Sequence, residues 1–193
     1  MNSDDRRWWV FEQPLFTERL LLRPFRDADL EDLYAIQSRA DVVRYIPYGV
    51  RSRPEVADAL AKMMKNDRLG PEQGPLAIAV ERTTDHRMIG SVTLWRDPEH
   101  RQGEVGYLFH PDAQRHGYAT EAVIATLDLA FGPLGVHRVY ARVDARNRAS
   151  AALASRLGMR QEAHLRENEL FKGEWSDELV FAILAPEWHA AGH

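Results

Sequence analysis

A chain of 193 residues suits one domain with its own hydrophobic core and is short for two. Lys and Arg number 25 against 29 Asp and Glu, a formal net charge of −4 that argues against a bulk electrostatic footprint for nucleic acid. There is no cysteine, which excludes a disulfide framework, a thiolate nucleophile and a Cys-rich zinc site. Only four apolar residues, Trp8 to Phe11, follow the charged start, too few for a signal-peptide core, and no run nears the ~20 of a membrane span. The expectation is a soluble, cytoplasmic protein that binds neither nucleic acid nor membrane.

Leu20-Leu21-Leu22-Arg23-Pro24 reads as a first strand stopped by proline. Asp27 is placed to cap a helix from about Ala28 to Ser38, with Leu30, Leu33, Tyr34 and Gln37 at helical spacing. Ser52-Arg53-Pro54-Glu55 has the spacing of a capping box and opens a second helix carrying Val56, Leu60, Met63 and Met64. Two strands follow, Leu76–Glu81 and Met88–Trp95, joined over Thr83-Thr84-Asp85, then a third, Glu104–Phe109, closed by His110-Pro111-Asp112. Ala119, Ala122, Val123, Thr126, Leu127, Ala130 and Phe131 recur at helical spacing until Gly132-Pro133. His137–Val143 reads as a strand, Asn147–Leu157 as a helix ended by Gly158, and Gln161–Phe171 with Glu174–Leu184 as a long hairpin across Lys172-Gly173. The order βααβββαβαββ implies a mixed α/β sheet with both parallel and antiparallel pairs. With no internal repeat or linker, residues 17–188 form a single domain between an N-terminal extension, 1–16, and a tail, 189–193. Trp8, Trp9 and Phe11 of the extension are expected to pack on their own domain, the sharper alternatives being a homodimer contact or a lid over a substrate cleft.

The chemistry concentrates at Glu104-Val105-Gly106-Tyr107-Leu108-Phe109 and the turn Gln114-Arg115-His116-Gly117-Tyr118-Ala119. A small-residue turn at the start of a helix leaves several N–H groups unpaired, and with the helix dipole these make a pyrophosphate site. Gly117 and Ala119 allow the backbone to approach the anion, although an isolated glycine is more often only a turn residue. Gly106 marks either a close backbone approach or a β-bulge.

The run from Gln114 to Ala119 resembles the Q/R-x-x-G-x-G/A loop of the Gcn5-related N-acetyltransferase (GNAT) superfamily. Thr17-Glu18-Arg19-Leu20, Leu22-Arg23-Pro24, Asn147-Arg148-Ala149-Ser150, Leu157-Gly158-Met159, Phe171–Asp177 and Pro186-Glu187-Trp188 are similar, in the same order, to segments of its branch that acetylates ribosomal-protein N-termini. The resemblance implies a mostly antiparallel, splayed sheet flanked by helices, with acetyl-CoA as co-substrate. Its pantetheine arm would bond to the backbone at Leu108 and Phe109, and its pyrophosphate would sit on the loop Gln114, Arg115, His116, Gly117, Tyr118, Ala119 and Thr120. Asn147 would reach the pantetheine amide.

Acetyl transfer from a thioester to an amine needs a proton acceptor, an oxyanion donor and a proton for the thiolate. The resemblance makes Glu104 the candidate base, the alternative being a surface charge. Many relatives use a tyrosine as the acid where this chain has Ala154, and Ser150 is the candidate in its place, the alternative being a helix-turn residue. The oxyanion donor falls to a backbone N–H near Leu108 or Phe109. A metal site is not expected, the eight histidines being read as holding no H-x-H or H-x-x-x-H pair. The acceptor is expected to be a protein N-terminal α-amine attacked in a ternary complex; the alternatives are a small-molecule amine or a non-catalytic acyl-CoA-binding module.

Overall fold

In a computed structural model, which describes residues 9–11, 13–69, 74–97, 99 and 101–192, ten strands and five helices follow one another along the chain. They are β1 Trp9–Val10, β2 Leu15–Phe16, β3 Leu20–Arg23, α1 Leu30–Gln37, α2 Arg53–Lys65, β4 Arg68–Leu69, β5 Leu76–Arg82, β6 Arg87–Asp97 and β7 Gln102–Phe109. Then come α3 Tyr118–Phe131, β8 Arg138–Asp144, α4 Arg148–Arg156, β9 Arg160–Phe171, β10 Glu174–Leu184 and α5 Ala185–Ala190. Eight strands make one sheet in the order β2-β3-β5-β6-β7-β8-β10-β9, while β1 and β4 pair apart from it. Every neighbouring pair is antiparallel except β7 with β8.

Alternation along the central strands divides the interior in two. Leu22, Ile78, Val80, Val92, Val105 and Phe109 join Val123, Leu127 and Ala130 of α3 and Leu153 and Ala154 of α4 in the larger core. On the other face, Ala77, Ala79 and Met88 meet Leu33, Ile36, Val56 and Leu60 of α1 and α2, with Leu108 packed against them. The capping box of α2 forms as the sequence implies: the Ser52 N–H and hydroxyl both donate to Glu55 Oε2, at 2.8 and 2.6 Å.

The expected cap at Asp27 does not form. Asp27 sits in a 3₁₀ turn, Asp27–Asp29, and α1 begins only at Leu30. Asp29 takes the structural role instead, because buried Arg23 requires it: the guanidinium donates to both Asp29 oxygens at 2.8 and 2.6 Å and to Glu81 Oε2 at 2.7 Å. Arg26 adds a bond to Glu81 at 2.8 Å and its backbone N–H reaches Asp29 at 2.9 Å. Phe11 lies in the larger core, its N–H on Asp67 O at 2.9 Å; Trp8 lies outside the described residues.

Candidate acetyl-transfer site

Parallel pairing of β7 with β8 covers only Gln102–Arg138, Gly103–Val139 and Glu104–Tyr140. Beyond that point β7 continues to Phe109 on its β6 side and β8 to Asp144 on its β10 side, so the two strands part at Glu104 and Tyr140. A V-shaped gap opens there, one edge of β7 left without a strand partner from Val105 onward. Such an edge can pair with an extended chain.

Glu104 stands at the vertex. It is half-buried on an inner strand, not an edge-strand surface charge. Burial raises its carboxyl above the ordinary carboxylate range, with Glu178 and Glu169 pushing the same way; the Tyr140 side chain and Arg142 oppose. Beside it is a cavity of about 390 Å³ lined by Trp95, Arg96, Asp97, Gln102, Gly103, Glu104 and Tyr140. The β6–β7 register runs without a shift through Gly106, so no bulge exists there. The glycine answers to Trp95, whose ring lies so near that an added Cβ would stand 3.2 Å from it.

Tyr107 points to the opposite face, into the α3–α4 side of the sheet. Its hydroxyl lies 2.9 Å from Ser150 Oγ and 3.1 Å from Ser150 O, and burial pushes its phenol up. Ser150 is therefore no cap: Asn147 caps α4, its Oδ1 accepting from the Ser150 N–H at 3.1 Å. That bond takes one of the two acceptor positions of the Asn147 oxygen, and its amide Nδ2 is a donor that can face a ligand. Ala154 is fully buried in the larger core. Glu104 and Ser150 approach the gap from opposite faces of the sheet.

Just past the end of β7, residues 111–113 form a 3₁₀ turn, and the chain then turns into α3. Arg115 (φ 64°) and Gly117 (φ 83°) are both left-handed, and a larger side chain at 117 is strained by the backbone itself. Among the described residues, the backbone N–H groups of 115–120 meet no backbone acceptor, while Glu121 N–H returns to Gly117 O at 3.0 Å. Alternating backbone of this kind aims successive N–H groups together, as anion cradles require. His116 Nδ1 lies 2.7 Å from Gln114 O and its ring stacks on Tyr118, so its side chain braces the loop.

The acetyltransferase (GNAT) domain family matches residues 19–160. The chain belongs to this family. The acetyltransferase is 32% identical over 173 residues, 90% of this chain and 98% of the relative, to YnaD, an uncharacterized N-acetyltransferase of Bacillus subtilis. It is 29% identical over 84 residues, 44% of this chain and 43% of the relative, to the ribosomal protein uS5-alanine N-acetyltransferase of Escherichia coli. A GNAT-family acetyltransferase structure from Bacillus anthracis superposes with a TM-score of 0.81 at 28% identity, covering 91% of this chain and 100% of that one. The spermidine N-acetyltransferase of Vibrio cholerae, solved with CoA and spermine, shares the fold at 23% identity and a TM-score of 0.76, over 90% of this chain and 99% of that one. Family and relatives make the protein an acetyl-CoA-dependent N-acetyltransferase.

Sequence reasoning missed Tyr107, Tyr140 and Trp95 around the site. Their positions on alternate faces were legible, but not which strand each would meet. The histidine reading needs one correction: His189 and His193 do stand four apart. His193 lies outside the described residues, and among those residues no group of three or more His, Asp and Glu side chains could hold a metal ion. No helix among them is long and apolar enough to cross a membrane.

Proposed function

We propose that the protein transfers the acetyl group of acetyl-CoA to a protein N-terminal α-amine by direct attack in a ternary complex. The observation that carries this reading is the parting of β7 and β8 at Glu104 and Tyr140, with the free edge of β7 leading to the loop of unpaired amides at 115–120. The pantetheine arm would pair with that edge at Tyr107 and Phe109, whose backbone groups face the gap, whereas those of Leu108 are turned to Ser91 of β6; the Asn147 amide nitrogen would lie beside it. The pyrophosphate would accept from the loop amides between Gln114 and Thr120.

The amine nitrogen attacks the thioester carbon from the Glu104 face, and Glu104 takes the proton it sheds, directly or through one water. The Leu108 N–H faces Ser91 of β6, so the β7 backbone N–H that would steady the oxyanion is that of Phe109. As the C–S bond breaks, the Ser150 hydroxyl donates a hydrogen bond to the departing thiolate, which takes its proton from water, while the Tyr107 phenol holds Ser150 in place. The raised carboxyl pKa suits this role, because a base is most effective when its pKa lies nearer the working pH.

The N-terminal acceptor is supported by the match to the uS5-alanine enzyme and by the segments shared with its branch. A small polyamine is the second reading: Asp97 and Glu104 beside Trp95 and Tyr140 would suit a chain of ammonium groups. Thiol release from acetyl-CoA, measured with Ala- and Ser-initiated peptides against spermidine, separates them. Peptides should lead in kcat/KM, and spermidine outpacing every peptide would overturn the acceptor assignment.

A further inference from the structure

The Thr17-Glu18-Arg19-Leu20 segment plays no part in the chemistry above, yet it meets the pyrophosphate loop. It forms the tight turn between β2 and β3, closed by Thr17 N–H on Leu20 O at 3.0 Å. From that turn the Arg19 guanidinium reaches two places on the far element. Nε donates to Glu121 Oε2 at 2.8 Å and Nη2 lies 2.6 Å from the same oxygen, while Nη1 donates to the His116 carbonyl at 2.9 Å. The Glu121 carboxylate also accepts from the Thr17 hydroxyl at 2.6 Å and the Arg19 N–H at 2.9 Å. The guanidinium stacks over the Tyr118 ring, 4.7 Å from its centre.

Two consequences follow for an anion on this loop. First, Glu121 carries a full negative charge in the first turn of α3, where it would oppose a pyrophosphate on the same helix end. Four donors from Thr17 and Arg19 absorb that charge, and they hold the carboxyl below its usual range although burial pushes the other way. Second, a peptide unit is planar and trans, so the C=O of His116 and the N–H of Gly117 point in opposite directions. Pinning the carbonyl on Arg19 fixes the Gly117 N–H on the side away from Arg19. The left-handed backbone at Arg115 and Gly117 would otherwise be free to flip this peptide.

We infer that Arg19 is a positioning residue for acetyl-CoA: it neutralises Glu121 and orients the His116–Gly117 peptide so that the loop amides converge on the pyrophosphate. This rests on the reading of residues 114–120 as the pyrophosphate loop. It also accounts for the absence of a side chain at 117, since an added Cβ would stand 3.3 Å from Arg19 Nη2.

The test compares acetyl-CoA with S-acetylpantetheine, a donor that has the thioester and lacks the pyrophosphate, on wild type, Arg19→Met and Arg19→Lys. Lysine keeps a charge for Glu121 but is a single point donor, unable to serve Glu121 and the His116 carbonyl together as the guanidinium fork does. With acetyl-CoA, both variants should lose about tenfold in kcat/KM, the order of one lost hydrogen bond to a charged group, carried by KM with kcat little changed. With S-acetylpantetheine they should match wild type, and Arg19→Lys should keep the wild-type melting temperature. Equal losses with both donors would reduce Arg19 to a general latch between β3 and α3 and overturn the inference, as would no loss with either. Wild type that fails to prefer acetyl-CoA over S-acetylpantetheine would instead remove the loop reading itself.

Discussion

Replacing Glu104 by glutamine keeps the shape beside Tyr140 and removes only the carboxylate. If that group takes the amine proton, kcat at pH 7 should fall about 10²–10³-fold, or about 2.7–4.1 kcal/mol of transition-state stabilisation. The deficit should depend on pH in a calculable way. An N-terminal amine titrates near ~7.8, so about 14% is neutral at pH 7 and about 94% at pH 9, which returns about sevenfold of the loss. The acid limb gives a second signature. Burial raises the Glu104 carboxyl, so the wild-type rate should begin to fall with decreasing pH above the ~4.3 of an ordinary glutamate, as the base becomes protonated. The glutamine variant has no such group and keeps only the fall that comes from protonating the amine. Thiol release measured from about pH 4 to 9, with calorimetric titration to show unchanged acetyl-CoA affinity, reads both effects. A variant within about threefold of wild-type kcat at pH 7, or one whose acid fall is as steep as that of wild type, would refute Glu104 as the base.

Gly117→Val should abolish acetyl-CoA binding in a calorimetric titration and destabilise by about 1–3 kcal/mol, because a β-branched residue is forced to φ 83°; a folded variant with wild-type affinity would contradict the loop assignment. Ser150→Ala should slow transfer about tenfold with little effect on stability, since a thiolate near its ~8.5 reference pKa needs modest help to leave and Asn147 still caps α4. Asn147→Ala should show the stability loss instead, about 1 kcal/mol, and a Ser150→Ala defect confined to stability would sink the catalytic role. Glu81→Gln should destabilise by about 3–5 kcal/mol at pH 7, because it strips a partner from buried Arg23. Ion pairing holds the Glu81 carboxyl below its ordinary range despite burial, so its contribution is complete above ~4.3 and disappears as pH falls through the lowered native value. Urea melts of both proteins down the pH scale should converge there; a constant gap would show that the charge is not what stabilises.

The chain itself determined what depends on neighbours in sequence. The Ser52–Glu55 capping box, the apolar stripe of α3 ending at Gly132-Pro133, and the hairpins across Thr83-Thr84-Asp85 and Lys172-Gly173 appear within a few residues of where periodicity and turn chemistry put them. Each is closed by bonds a few positions apart, so its free energy is written locally. The loop at 114–119 was legible for the same reason: a left-handed glycine opening a helix is a local event.

Only the tertiary structure decided the rest. Leu20–Arg23 reads as an apolar strand, yet its arginine is buried among Asp29 and Glu81, and that ion cluster displaced the expected cap at Asp27. β1 and β4 are two-residue strands that exist only because each finds the other, and neither carries a period long enough to announce it. The register of β7 against β8 determines that the gap opens at Glu104, and no residue in either strand encodes that endpoint alone. Tyr107 meets Ser150 at a sequence separation of 43 residues and Arg19 meets His116 at 97. Contacts at such separations form only once the whole sheet has closed, because the loop entropy they require is offset by the packing of both cores rather than by any local preference.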